Sequence, residues 1–201
     1  MTIQSGFSQP VLDSQACFRQ VLAALSEPGS VNTLGLHIGF EPLAASVCQI
    51  VLSLCDNHTQ LFVDPSSLME SQSTLDNVIE NIKFHTDTKI SDKSRADFVI
   101  TSASSPFVAE DYKSGTEMYP EDSATILLET NSFEGGTLLQ LSGPGIEHTR
   151  QVRLGHIHSS LLDALIQPAY KYPLGQDFIF CCGEQIVAIS RTTKVEISAC
   201  M

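Results

Sequence analysis

The chain has 201 residues, 42% hydrophobic and 17% charged, with 23 acidic against 11 basic side chains and a formal charge of −12. That composition supports a buried core and excludes a disordered chain; the charge disfavours nucleic acid and anionic membranes as partners and repels phosphate-rich ligands outside a local pocket or a partner's cations. No apolar run nears the ~20 residues of a membrane span, and the opening MTIQSGFSQP lacks a basic start followed by an apolar stretch, so a cytoplasmic protein is expected.

In chain order, Asp13 is placed to cap a first helix. Cys17, Phe18, Val21, Leu22 and Leu25 follow at helical spacing, and Ser26-Glu27-Pro28-Gly29 stops it. A short strand is expected at 31–36. Pro42 suits the first turn of a second helix running to about residue 54, which Asp56-Asn57 breaks. Residues 60–63 read as a buried strand and the serine-rich stretch 64–74 as a loop. Leu75, Val78, Ile79 and Ile82 mark a third helix. A strand at 98–101 and a short helix at 106–113 come next. Strands at 124–129 and 137–141 flank Phe133-Glu134-Gly135-Gly136, a hairpin-type turn. A fourth helix is expected at 156–166, ended before Pro168. Strands 178–182 and 185–189 flank Gly183-Glu184, a second hairpin signal. Alternating elements early and hairpins late predict a single α/β domain over 1–201, a mixed sheet flanked by helices.

The six cysteines, Cys17, Cys48, Cys55, Cys181, Cys182 and Cys200, include no C-x-x-C pair. A disulfide framework is not expected, and Cys48 and Cys55 fit buried core thiols. Catalytic signatures are scarce. There is no Walker loop, no G-x-G-x-x-G and no G-x-S-x-G. Ser142-Gly143-Pro144-Gly145 follows a strand, but its proline removes an amide donor, so a tight turn is expected rather than a phosphate nest. His156 and His158 lack a third ligand at metal spacing and read as surface histidines. His85, after Lys83-Phe84, suits the negative end of a helix as a cap, with acid–base catalysis the alternative. Arg191-Thr192-Thr193-Lys194 is the densest cationic and hydroxyl cluster. It is either a phosphate-holding segment or a solvated strand end whose arginine pairs with an acid. Arg19 faces either an acid such as Glu27 or a partner.

These segments together resemble one family. Phe18-Arg19 leading to Leu25-Ser26-Glu27-Pro28-Gly29 is similar to the opening FR…SEPG signature of the H subunit of the carbon–phosphorus lyase core complex, the PhnH family. Leu52-Ser53-Leu54-Cys55-Asp56-Asn57-His58-Thr59 resembles its LTLxDNxT segment, and Phe84-His85-Thr86 its FHT. Gly115-Thr116, Pro120 and Ala124-Thr125-Ile126-Leu127 resemble a GT…P…ATLIL stretch, and Leu141-Ser142-Gly143-Pro144-Gly145-Ile146 an LxGPGI turn. Pro173-Leu174-Gly175, Asp177 and Arg191-Thr192-Thr193-Lys194-Val195-Glu196 resemble PLGxD…PRTTxVE, with Ser190 in place of the proline.

The resemblance implies a role in bacterial phosphonate catabolism. In that pathway the core complex holds G, H, I and J subunits; the I subunit, with the G, H and L proteins, displaces adenine from ATP with a phosphonate to give ribose 1-phosphonate 5-triphosphate, and the J subunit later cleaves the C–P bond. It implies a homodimer and a reduced type I pyridoxal-phosphate transferase fold without the cofactor site. The lysines Lys83, Lys89, Lys93, Lys113, Lys171 and Lys194 sit in polar or turn-like contexts. None suits a Schiff base, and neither cofactor nor metal is expected. The expectation is an accessory subunit with no assigned catalytic residue. Its candidate functional or interface residues are Arg191, Thr192, Thr193, Arg19, Glu27 and His85. The alternatives are an independent phosphotransferase built on Arg191 and Thr192, a degenerate pyridoxal-phosphate transferase, or a homodimeric scaffold.

Overall fold

A computed structural model describes residues 3–65 and 71–198; Cys200 and the middle of the 64–74 segment lie outside them. The helices are α1 (Pro10–Ser26), α2 (Ala45–Leu54), α3 (Gln72–Thr86) and α4 (Ser159–Ile166). The strands are β1 (Val31–Thr33), β2 (Gln60–Val63), β3 (Lys89–Ile90), β4 (Phe98–Ser102), β5 (Thr125–Glu129), β6 (Thr137–Ser142), β7 (Arg150–Leu154), β8 (Asp177–Cys182), β9 (Gln185–Ile189) and β10 (Lys194–Ile197).

A seven-stranded mixed sheet has the order β1-β9-β8-β5-β4-β2-β3, and a second, antiparallel sheet the order β10-β6-β7. From β8 through β5, β4 and β2 to β3, neighbours are parallel. Such strands are buried on both faces and read as continuous apolar runs. Ile126, Leu127 and Leu128 are all fully buried. Alternation then sorts them. Leu127, Ile100 and Ile179 point to a core with α1, α2 and α3, whereas Ile126, Leu128, Phe178 and Phe180 point to one shared with β6, β7, β10 and α4. The large sheet is thus the middle layer between helices and the small sheet.

The mixed α/β architecture and flanking helices agree with the sequence, but there are two sheets rather than one. The predicted hairpin at 133–136 does not form, because β5 enters the large sheet and β6 the small one. Both strands are apolar, and local turn chemistry does not say which layer each joins. The hairpin at Gly183-Glu184 does form, pairing Cys182 with Gln185. Asp13 is not the N-cap of α1. Gln9 is, and Asp13 reaches back from the first turn to accept the Gln9 N–H at 2.9 Å. The strand expected at 31–36 ends at Thr33, and α2 starts at Ala45, three residues after Pro42. α3 begins inside the expected loop, with the Ser71 side chain accepting the Thr74 N–H. At 106–113 only a 3-10 turn forms, Ala109–Asp111. α4 starts at Ser159, capped by His158. β3, β7 and β10 had no sequence expectation; they are short or mostly polar.

Candidate functional site

The β8–β9 pairing sets Phe178 opposite Ile189. The same register brings Asp177, which opens β8, alongside the turn after β9. There the Arg191 backbone N–H donates to Asp177 Oδ1 at 2.8 Å, and Nε donates to Oδ1 at 3.3 Å and Oδ2 at 3.1 Å. Nη2 donates to Asp177 Oδ2 at 2.5 Å and to the Ser123 hydroxyl, and Nη1 to the carbonyls of Pro120 at 2.8 Å and Pro173 at 3.4 Å. A guanidinium has five N–H donors, and all find acceptors in the same chain. The pair is only 17% and 21% exposed at its side chains. Ser190 Oγ lies 3.0 Å from both Thr192 Oγ1 and Thr193 Oγ1. Thr193 is buried, and Lys194 turns away to pair with Glu196 at 2.6 Å. A shallow cleft of about 330 Å³ opens beside Arg191 and Thr192, bordered by Glu121 and Tyr172.

Segments far apart in sequence meet at this junction. A β-carbon on Gly143 would stand 2.9 Å from the Thr192 carbonyl oxygen. Gly145, at φ +80°, leaves space that the Ser26 carbonyl occupies. From β7, Arg150 Nη1 donates to the Glu27 carbonyl at 2.8 Å and the Pro28 carbonyl at 3.0 Å. The Glu27 carboxylate lies 3.9 Å from Arg150 Nη2. Arg150, which the sequence reading missed, therefore meets Glu27. Arg19 is exposed on α1 and forms no ion pair among the described residues.

His85 lies elsewhere. Its ring stacks on Phe40 at 5.5 Å, and Nε2 is 2.9 Å from the Gln4 carbonyl oxygen. It thus ties the segment before α1 to the end of α3, while Asp87, in the left-handed region at φ 57°, caps that helix.

A second cleft, of about 390 Å³, lies beyond the carboxyl ends of β4 and β5. Ligands in open α/β sheets bind at such ends. Glu129 ends β5 and lines this cleft with Ala44, Ser102, Ser104, Thr130, Asn131 and His156. Its Oε1 accepts the Ala44 N–H at 2.5 Å, supplying an acid at the N-terminus of α2 that Ala44 cannot. Burial pushes its carboxyl above the ordinary range, against the lowering effect of that hydrogen bond. The acid closing the run Ile126-Leu127-Leu128 was the signal sequence reading passed over. His156 stands at the rim, whereas His158 Nδ1 accepts the Ser160 N–H at 3.2 Å, so the two histidines part.

Among the described residues, no three His, Cys, Asp or Glu side chains gather as a metal site, and no helix is long and apolar enough to cross a membrane. Cys17, Cys48, Cys55, Cys181 and Cys182 are free thiols.

The chain is 29% identical over 207 residues to alpha-D-ribose 1-methylphosphonate 5-triphosphate synthase subunit PhnH of Rhizobium meliloti (strain 1021), covering 98% of this chain and 99% of the relative. It is 24% identical over 183 residues to the putative C-P lyase subunit protein HtxG of Stutzerimonas stutzeri, covering 91% and 86%. The sequence profile described as bacterial phosphonate metabolism protein (PhnH) matches residues 5–196, which take in the whole Arg191 junction and the Glu129 cleft: the chain belongs to the PhnH family.

Proposed function

We propose that this chain is the H-type subunit of an assembly like the synthase named for its Rhizobium meliloti relative. In that assembly it would be accessory to the conversion of ATP and an alkylphosphonate to ribose 1-phosphonate 5-triphosphate and adenine. The observation that carries this reading is the end-to-end similarity to a protein named as such a subunit, 98% of one chain against 99% of the other. The accessory role is supported by Arg191. Its donors are engaged within the chain, so the 191–193 segment is read as a junction that shapes a surface. Arg19, exposed on α1, and Glu27, at that junction, are read as interface residues, and His85 as a pin for the residues before α1.

The same reading holds the chain to be one domain, a reduced pyridoxal-phosphate transferase fold working in the cytoplasm without cofactor. Its support is the parallel centre of the large sheet and the absence of lysine from the linings of the two clefts beside Arg191 and Glu129. A homodimer joined to G, I and J subunits is supported by Val11, Leu12, Phe18 and Leu22, apolar side chains exposed along α1. Reconstitution of the adenine-releasing step with and without this chain is the test. Full activity in its absence would overturn the reading, as would failure to co-elute with a co-expressed I subunit.

A further inference from the structure

We propose that the cleft beside Arg191 and Thr192 docks an arginine side chain of a partner protein, its guanidinium lying on the Tyr172 ring with the Glu121 carboxylate beside it. That a partner exists rests on the subunit reading above, whereas the demand for arginine rests on the cleft. Two segments far apart in sequence form its walls, Pro120-Glu121 and Tyr172-Pro173, and Ser190 and Thr192 from the turn after β9 complete it. The Arg191 guanidinium holds both walls, donating to the Pro120 carbonyl at 2.8 Å and the Pro173 carbonyl at 3.4 Å. Walls that are already fixed lose little freedom when a partner arrives.

Three large side chains stand out from these walls. Tyr172 is 71% exposed, and Met118 and Tyr119, in the turn leading into Pro120, are 76% and 52% exposed. That turn is ordered: the Tyr119 carbonyl accepts the Thr116 N–H at 3.0 Å and the Asp122 N–H at 3.2 Å. Tyrosine and methionine, with arginine, are the residues that concentrate at protein interfaces. Aromatic anchors on a fixed backbone supply much of the binding energy there.

The charge pattern selects the guest. Within the cleft Asp177 and Arg191 neutralise each other, and Glu121 is the one remaining charge in the lining. Glu117 and Asp122 lie close to it in sequence and are exposed. None of these three acids enters an ion pair among the described residues. Lys171 precedes Tyr172 but does not line the cleft. An anion is therefore repelled, and an apolar guest would desolvate Glu121 without pairing it. A cation satisfies it. Arginine fits better than lysine, because its weakly hydrated, planar guanidinium lies on an aromatic face while its N–H fork meets a carboxylate, whereas an ammonium is a strongly hydrated point charge.

The test is an amide chemical-shift titration of the whole chain with the N-acetyl methylamides of arginine, lysine and glutamate as separate probes. Saturable shifts with the arginine derivative at millimolar levels, confined to residues near 117–123, 171–174 and 190–193, are expected. The lysine derivative should bind severalfold more weakly and the glutamate derivative not at all. Tyr172→Ala removes the stacking face and Glu121→Gln the charge, and each should weaken arginine binding about two- to fivefold. Both side chains are exposed, so melting temperatures should not change. In parallel, wild type, Tyr172→Ala and Glu121→Arg are each co-expressed with G, I and J subunits, and Glu121→Arg, which repels the guest, should lose co-elution. No saturable arginine shifts, shifts mapping elsewhere, or equal binding of lysine or glutamate would overturn the inference. So would Glu121→Arg co-eluting as fully as wild type, or a wild-type dimer that dissociates in Tyr172→Ala, which would give the surface to a second copy. Silent probes with wild-type co-elution intact remove the inference alone, and arginine binding at the cleft without wild-type co-elution removes the subunit reading alone.

Discussion

The carbonyl oxygen of Ser26 lies 1.9 Å from the point where a β-carbon on Gly145 would stand. The end of α1 and the turn after β6 are thus in backbone contact, at a position whose φ of +80° already favours glycine. Arg150 reinforces the contact through the carbonyls of Glu27 and Pro28.

Gly145→Ala therefore combines left-handed strain with a clash against backbone, and should cost about 2–5 kcal/mol. Gly35→Ala is the control. Its φ is similar, at +76°, but nothing lies within 4 Å, so the loss should be about 1–2 kcal/mol. Urea unfolding of the two variants checks the difference; equal losses would show that the Ser26 contact is immaterial.

Arg191→Ala should lower stability by about 2–4 kcal/mol, because it leaves the Asp177 carboxylate with only the backbone N–H of residue 191 and the Pro120 carbonyl without its donor. For a chain of this length that is a drop of about 5–10 °C in melting temperature. Arg191→Lys should recover little, since an ammonium cannot serve Asp177, Ser123, Pro120 and Pro173 together. An unchanged melting temperature in the alanine variant would mean that the junction is not structural.

Glu129 gives a pH signature. Its folded carboxyl is raised above the ordinary 4.5, with burial the larger cause and the Ala44 hydrogen bond opposing it. Over the window between those two values the folded state holds more protons than the unfolded, so stability falls as pH rises. Glu129→Gln lacks that component. The stability difference between wild type and variant should shift in the variant's favour as pH climbs from about 4.5 through the raised value and level off above it. Denaturant melts across that range measure it, and a difference independent of pH would contradict the burial argument.

Thiol labelling should sort the cysteines by depth. Burial pushes Cys48 and Cys55 up to about 12 from 9.0, and raises Cys181 as well. Thiolate at Cys48 and Cys55 is then about a thousandfold scarcer than at an ordinary thiol. Cys182 is half-buried and only raised. Among the described cysteines, peptide mapping after brief alkylation of the native protein should find it modified first. Equal labelling of Cys48 would require that α2 opens readily.

The helical half of this fold was legible in the sequence. α1 follows from the spacing of Cys17, Val21 and Leu25 and from the proline-glycine stop, and the Gly183 hairpin from its turn residues. The small sheet was not. β7 is Arg-Gln-Val-Arg-Leu, and only Val152 and Leu154 are buried, too few to announce a strand without its partner β6. The Arg191 cluster stood out by composition, but its partners Pro120, Ser123, Pro173 and Asp177 come from two separate stretches that register alone assembles. The family was legible because ordered motifs survive where periodicity is weak. Glu129 was hidden because one acid at the end of an apolar strand looks like any strand terminus until α2 is seen to begin beside it.

β6 is the middle strand of the small sheet, and its second neighbour, β10, pairs Val195 with Leu141 and Ile197 with Leu139. β7 follows β6 closely in the chain, but β10 comes after the whole β8–β9 hairpin. During synthesis, then, one side of β6 is paired early while the other keeps its amides and carbonyls free, beside leucines that are fully buried in the finished fold. Open strand edges of that kind recruit other chains. A nascent chain paused between residues 155 and 190 carries this half-made sheet, and it is the form of the protein that aggregation or a chaperone would catch.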